Sequence, residues 1–376
     1  MTRRRRFGSV RLMASGHYQA SYWQEGCRHV ADVTFRSKAE AQKYLDSIST
    51  DMHRGVWTNP SDGEITVREL SELWKSATPT KRATTWANDE SSLRVHILPV
   101  LGEVPIARVK PPHIHAMVAK WSVKAAPRTV RRRYATLRAM FVFAVNCEWI
   151  SRSPCRAVKL PKITTTRRHT LNAEDVAAVA EAMKPYFRPM VWIGAVLGLR
   201  WSEVAGIRVG RVDFLQRTLT VAETVTRDGK GRPVLSFPKS AAGSRTLAIP
   251  PTLVDILAEH MATYGLSVAD KGHFLFEEPS RSPLHYPNWR RSVWVPAATT
   301  AGHTGAGFHD LRRASATALV NRGIDLKTAQ VRLGHADPRL TLQVYAEVVQ
   351  ESEEGAAAAL GDYFLSGGPG KVADSY

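Results

Sequence analysis

The sequence predicts a multidomain α+β chain. It should comprise a small three-stranded sheet plus one helix at the N-terminus, a block of four to five helices, and a mixed, mainly α segment with a small antiparallel sheet. Three observations carry this expectation. The chain has 376 residues, and at roughly 150 residues per domain that points to two or three domains. Two breaker-rich stretches interrupt it: Asn59-Pro-Ser-Asp-Gly63, and Pro154 with Pro161 followed by Thr164-Thr-Thr-Arg-Arg168. The apolar pattern changes character at each of them. The expected boundaries are 1–57, 64–160, 169–365 and a Gly/Ser-rich flexible tail, 366–376.

In the first segment, strand-like runs near Ser9–Ala14, His17–Gln24 and His29–Phe35 are split by Gly16 and Gly26 at turn positions. Ser37 then reads as the N-cap of a helix to about Arg54, with Glu40 completing a capping box. In the second segment, Thr66 caps a helix to Ser76 with Leu70, Leu73 and Trp74 on one face. Another helix runs from Thr84 to Leu98 and is stopped by Pro99; a third follows Pro111-Pro112. The fourth, about Pro127–Trp149, carries Val130, Tyr134, Leu137, Phe141 and Ala144 at helical spacing. The third segment should hold helices at 172–183, 189–197, 251–264, 309–322, 326–333 and 338–350. Its strands should be Leu219–Val225, Val234–Phe237 and Thr246–Ile249. Ala316–Leu333 has the look of a helix-turn-helix with Gly323 at the turn.

Composition narrows the partners. Hydrophobic residues make up 44% and charged residues 23%, a globular balance. The longest apolar run, Met190–Leu199, is about half the roughly 20 residues of a membrane span. No apolar region follows the N-terminal arginines, so a secretory signal is not expected. Cys27, Cys147 and Cys155 form no Cys-x-x-Cys pair and no disulfide framework, which suits a reducing, intracellular setting. The formal net charge is +18, unevenly spread. Residues 1–60 hold 10 basic and 5 acidic side chains, 61–160 hold 17 and 8, and 161–376 hold 25 and 21. An excess concentrated in the first 160 residues suggests a polyanion, most often nucleic acid. Arg3, Arg4, Arg5 and Arg6 are candidate contacts. So are Arg128, Arg131 and Arg132, which share one helix face at i, i+3 and i+4 and whose forks match phosphate oxygens; a merely solvated face is the competing reading. His113 and His115 lack cysteine or carboxylate partners at ligand spacing, so no metal site is expected. His169 and His303 read as linker or surface residues.

Singly, the polar residues of the third segment say little. Gly198-Leu-Arg200-Trp-Ser-Glu203 places an arginine after an apolar helix with a glutamate three residues on. Pro238-Lys239-Ser-Ala-Ala-Gly-Ser-Arg245 reads as a turn between strands. Phe308-His309-Asp-Leu-Arg312-Arg sets a histidine and an arginine one helical turn apart. Leu333-Gly-His335 precedes a helix start, and Thr341-Leu-Gln-Val-Tyr345 lies inside that helix.

Taken together and in this order, Arg200, Lys239, His309, Arg312, His335 and Tyr345 resemble the boxes of the tyrosine recombinase family, of the phage-integrase (lambda-integrase) type. The separation of ten positions from His335 to Tyr345 lies within that family's spacing. Ser92–Gly102 and the helices around it are similar to the family's core-binding (SAM-like) domain. Residues 1–57 resemble, more loosely, the arm-type DNA-binding domain of the larger integrases. The resemblance implies a catalytic domain over 169–365 and a site-specific DNA recombinase. Such an enzyme cleaves and rejoins DNA through a 3′-phosphotyrosine, as type IB topoisomerases do, and integrates phage or mobile-element DNA into a host chromosome.

The residue types suit that chemistry. Cleaving a phosphodiester needs a nucleophile, charge neutralisation and protonation of the leaving 5′-oxygen, so catalysis is mostly positioning and electrostatics. Arg200 and Arg312 supply two cationic forks, and His335 a further donor. Tyr345, a phenol of pKa about 10, can attack once guanidinium groups favour its anion. The resemblance makes Lys239 the general acid and His309 an assistant in proton transfer around the nucleophile; Glu203 would orient Arg200. No metal or other cofactor is implied. Implied partners are double-stranded DNA at core-type and arm-type sites, a homotetramer on that DNA, a host DNA-bending protein and an excision factor, all in the bacterial cytoplasm. Residues 347–364 would pack on a neighbouring protomer. The alternative is a non-catalytic, sequence-specific or architectural DNA-binding protein, which would need neither Tyr345 nor Lys239. An integrase of a conjugative or transposable element shares every motif.

Overall fold

The computed structural model describes residues 7–55, 57–164, 170–237, 243–334, 337–339, 342 and 361. Arg3–Arg6, Lys239, His335, Tyr345, His169, most of the helix expected at 338–350 and the tail at 366–376 lie outside them. Two compact units, Met1–Thr165 and Thr166–Tyr376, divide the chain.

The first unit opens with an antiparallel sheet of β1 (Ser9–Leu12), β2 (Tyr18–Gln24) and β3 (Cys27–Val30), in sequence order. The register pairs Ser9 with Ser21 and Ser21 with Val30. The third strand begins earlier than its β-branched residues suggest, because Glu25 and Gly26 both adopt positive φ and turn the hairpin tightly. Phe35, expected inside that strand, instead makes an isolated bridge to Tyr18. Period-2 alternation puts Ala20 and Tyr22 inward, where they meet Ala41 and Leu45 of α1 (Lys38–His53). Ser37 Oγ accepts the Glu40 N–H, whereas the Glu40 carboxylate accepts from Arg36 N–H, one residue before the cap.

The helices that follow are α2 (Val67–Ser76), α3 (Ala83–Ser92), α4 (Leu98–Leu101), α5 (Pro111–Lys124) and α6 (Pro127–Asn146). Thr66 and Glu69 complete a reciprocal capping box at α2. Leu70 and Trp74 are buried, but Leu73, expected on the same face, is 44% exposed. On α6 the apolar stripe Val130, Tyr134, Leu137, Phe141 and Ala144 is buried against Ile97, Ile114 and Met117. Pro99 does not stop the helix before it. The backbone widens into a π-turn over Leu93–Ile97, with Leu98 N–H reaching Leu93 O, and continues to Leu101. Proline lacks the N–H for a bond to residue i−4 and its ring crowds that carbonyl; a wider turn relieves both.

The second unit contains α7 (Ala173–Ala182), α8 (Arg188–Val196) and α9 (Trp201–Val204). Strands β4 (Val212–Asp213), β5 (Thr218–Val221), β6 (Thr224–Arg227), β7 (Pro233–Ser236) and β8 (Arg245–Ala248) follow. Then come α10 (Pro251–Thr263), α11 (Tyr286–Trp289), α12 (Val295–Thr300), α13 (Phe308–Asn321) and α14 (Leu326–Leu333). The single strand expected over Leu219–Val225 is two. β5 joins an antiparallel sheet ordered β4-β5-β8, while β6 pairs with β7. The chain changes partners at Ala222-Glu223, where Arg208 Nε holds the Glu223 carboxylate at 2.7 Å. Residues 286–300, not anticipated as helical, repeat the device seen at Pro99. A π-turn at Arg290–Trp294 precedes Pro296.

At the centre of this unit α8 crosses α13. Gly194 permits the approach: a Cβ there would lie 2.9 Å from Phe308 Cζ and 3.0 Å from Leu311 Cδ1. The Gly194→Ala change should therefore lower stability by about 1–3 kcal/mol through overpacking. A urea midpoint equal to wild type would show that this crossing relaxes freely.

Candidate active site

The site forms at the C-terminal end of α8, where α13 and the end of α14 approach it. Gly198 follows that helix with φ +65°, and a Cβ there would clash at 2.5 Å with Leu333 Cδ2. Only glycine satisfies both the left-handed turn and the approach of α14. The turn points the Gly198 carbonyl at α13, where Arg312 Nη1 donates to it at 2.7 Å. Arg312 Nη2 donates to the Leu333 carbonyl at the end of α14. One guanidinium thus ties α13 to the ends of both other helices, and it is 2% exposed. Burial first, then the charge of Arg200, pushes the Arg312 pKa down to about 9; it remains a cation at neutral pH.

Arg200 occupies the N-cap position of α9. Its backbone N–H donates to Glu203 Oε2 and its Nη1 to Oε1, each at 2.9 Å. Glu203 is 3% exposed. Burial opposes its charge, but the charge and hydrogen bonds of Arg245, then those of Arg200, win and hold the carboxyl below its ordinary range. The Arg200 side chain stays 38% accessible, so this fork is anchored at one edge and open at the other. The sequence-level pairing of Glu203 with Arg200 is present in the geometry.

His309 lies in the first turn of α13, whose N-terminus is closed by Gly307 N–H donating to Asp310 Oδ2 at 2.8 Å. Its imidazole pKa is lowered by desolvation and then by Arg312 and Arg200. The two arginines are therefore its electrostatic neighbours, and a proton on the ring is disfavoured at neutral pH. Gly334 ends α14 in the left-handed conformation; His335, the next residue, is outside the described set, as are Lys239 and Tyr345.

Sequence reasoning overlooked Arg245. It begins β8 and is buried, with Nη1 and Nη2 each 3.3 Å from a Glu203 oxygen and Nε donating to the Arg332 carbonyl at 2.9 Å. The only sequence signal was its place at the end of the turn holding Lys239, and a lone arginine there reads as solvated.

In the first unit, Arg128, Arg131 and Arg132 are exposed on α6, as the spacing predicts. Two are engaged: Arg131 Nε donates to Pro161 O at 2.9 Å, and Arg132 Nη1 to Asn88 Oδ1 at 3.3 Å. His113 has a structural task, its Nδ1 accepting the Lys110 N–H at 3.2 Å at the start of α5. His303, which reads in the sequence as a linker or surface residue, pairs through Nε2 with Asp175 Oδ1 at 3.2 Å. Among the described residues, no helix is long and apolar enough to cross a membrane.

The order of domains and the clustered arginines agree with what comparison shows. Residues 6–54 match the phage integrase N-terminal domain, 67–160 the phage integrase central domain, and 169–352 the phage integrase family itself. The integrase of Mycobacterium phage D29 is 29% identical, over 94% of this chain and 96% of that protein. A putative prophage phiRv2 integrase of Mycobacterium tuberculosis is 27% identical, over 95% and 96%. Among solved structures, the Tn1549 transposon integrase in complex with a circular intermediate DNA superposes with a TM-score of 0.66 at 18% identity. It covers 78% of this chain and 99% of that one. A lambda integrase dimer bound to a COC′ core site gives 0.58 at 19% identity, over 91% and 96%. The chain belongs to the phage integrase family of tyrosine recombinases, of the lambda-integrase type. It is a site-specific DNA recombinase, and the non-catalytic alternative is not favoured.

The electrostatics of the site carry a direct expectation. In a side-chain NMR titration of the free protein, His309 should protonate below the ordinary imidazole range of about 6.5. Arg312→Ala should move that midpoint upward, because it removes a neighbouring positive charge; an unmoved midpoint would disprove the coupling.

Proposed function

We propose that the second unit cleaves DNA with Tyr345 as nucleophile, leaving a 3′-phosphotyrosine that the freed 5′-hydroxyl later reverses. The observation that carries the proposal is the pair Arg200 and Arg312, both fixed around Glu203, Gly198 and Leu333, with His309 beside them. Arg200 has an accessible fork and Arg312 a rigid one. A scissile phosphate offers two non-bridging oxygens, and its negative charge would relieve the repulsion between two adjacent guanidiniums. Preorganised cations of this kind stabilise the charge that grows in the transition state.

Lys239 protonates the leaving 5′-oxygen, and His335 donates a hydrogen bond to a non-bridging oxygen. His309 is kept neutral by burial and then by its cationic neighbours, so it can accept a proton near the attacking phenol. Glu203 holds Arg200 without touching the phosphate. The bond energy is retained in the covalent intermediate, so rejoining needs neither a nucleotide nor a metal ion.

The substrates are attachment sites on duplex DNA, integrated from a phage or prophage element into a host chromosome; the relatives of phage and prophage origin support this origin. Residues 64–160 grip the core site with the α6 arginines. Residues 1–57 read arm-type sites through Arg3–Arg6 and the outward face of their sheet. There Trp23 is 68% exposed and its cross-strand partner is Arg28. Four protomers act on two duplexes, in keeping with a lambda integrase tetramer bound to a Holliday junction. A host bending protein brings arm and core sites together, an excision factor sets direction, and residues 347–364 join neighbouring protomers. The reaction takes place in the bacterial cytoplasm.

Incubation with nicked attachment-site DNA should give an SDS-resistant protein–DNA adduct with the wild type and none with Tyr345→Phe. Equal adduct from both would remove Tyr345 from its role. The adduct should form undiminished in excess EDTA; an absolute need for a divalent ion would refute the metal-free route.

A further inference from the structure

Arg245 is a buried cation outside the proposed chemistry. Its side chain is 6% accessible and that of Glu203 4%, and each of the three Arg245 side-chain nitrogens already has a protein acceptor. Burying a charge in this way is costly unless it is fully paired, and Arg245 is. Two of its nitrogens face the two oxygens of Glu203, and the same nitrogen, Nη1, also reaches the Gly243 carbonyl at 3.2 Å. Its Nε takes the Arg332 carbonyl. Glu203 consequently has a cation on either side: Arg245 from β8 in the interior, Arg200 at the open edge.

We propose that Arg245 is a positioning residue that sets the pose of Arg200 through their shared carboxylate. The inference rests on the reading of Arg200 and Arg312 as ligands of the scissile phosphate. A carboxylate with one cationic partner pulls that partner toward itself. Balanced from behind by Arg245, Glu203 holds Arg200 by one nitrogen and the backbone N–H and leaves the outer edge of the fork for the phosphate. Arg245 also pins the Arg332 carbonyl, one residue before the Leu333 carbonyl that receives Arg312. Both cations are thereby referenced to the same strand end. A role confined to stability would not predict which chemical defect its loss produces; this one does.

The defect should lie in neutralising the phosphate, and two modified substrates isolate that step. A methylphosphonate at the scissile position has lost one anionic oxygen and needs less cationic help. A 5′-bridging phosphorothiolate leaves as a thiolate and needs no general acid. Arg245→Met should bind attachment-site DNA with wild-type Kd and cleave the ordinary phosphodiester on the order of 100-fold more slowly, as for loss of one preorganised donor. The deficit should shrink at least about tenfold on the methylphosphonate and persist on the phosphorothiolate. Glu203→Gln should add little to it, since both variants act through one carboxylate.

Wild-type cleavage by Arg245→Met would overturn the proposal. So would recovery on the phosphorothiolate, which would assign Arg245 to the turn bearing Lys239 instead. If Arg245→Met does not fold, Arg245→Lys, checked for an unchanged Tm, carries the same comparison: partial activity restored by the methylphosphonate supports the proposal, full activity rejects it. Arg200→Ala serves as the separate control. Its cleaving the phosphodiester at the wild-type rate would remove the phosphate-ligand reading itself. An inactive Arg200→Ala beside fully active Arg245 variants would remove only the positioning role.

Discussion

One carboxylate organises the second unit. Glu203 is buried on a four-residue helix and can stay ionised there only because guanidinium groups surround it. Those groups can lie near one another only because it is there. Repulsion among Arg200, Arg245 and Arg312 would otherwise be severe in a region from which water is largely excluded. With the carboxylate in place the cluster is still net positive, and that surplus suits the site to a phosphodiester. Surface ion pairs contribute little; this arrangement differs because three of its four charged groups are buried and every side-chain nitrogen of Arg245 has a partner.

The fold serves that cluster through its chain reversals rather than through its regular elements. Gly198 ends one helix, Gly334 another, and both take left-handed conformations that expose carbonyls at helix C-termini. Carbonyls in such positions have no partner within their own helix, and Arg312 supplies one to two of them at once. The α8–α13 crossing, made close by Gly194, sets the distance between the Arg312 backbone and the Gly198 turn. A packing detail in an apolar interior thus decides where a cation sits. The same coupling explains why Arg312 is buried while Arg200, on the short α9, keeps an accessible edge.

The two units divide the work along lines that the charge distribution already suggested. The first concentrates basic residues on an exposed helix face and an outward sheet face, with apolar clusters beneath. The second is nearly balanced in charge overall, and its cations matter by placement rather than by number. Long-range attraction to a polyanion and local stabilisation of a reacting phosphate are different electrostatic tasks, and the proposed function assigns them to different parts.

By itself the sequence determined the order of the parts, most helices, and the pairing of Arg200 with Glu203, because these rest on short-range signals. A cap such as Thr66 and an i,i+3 ion pair are complete within one turn of chain, and the α6 stripe within one helix. Local reasoning erred where a neighbour distant in sequence intervened. The π-turns before Pro99 and Pro296 keep helices going that the prolines would otherwise end, and each segment buries one face, Leu93 and Ile97 in the first and Val293, Trp294 and Ala297 in the second. The run Leu219–Val225 was split because β8 and β7 claim its two halves, a choice no alternation pattern encodes. Arg245 was illegible for the same reason: its partners stand 42 and 87 positions away, and nothing in the residues beside it announces that it will be buried. Tertiary structure alone decided which arginine faces solvent, which faces the interior, and which carboxylate they share.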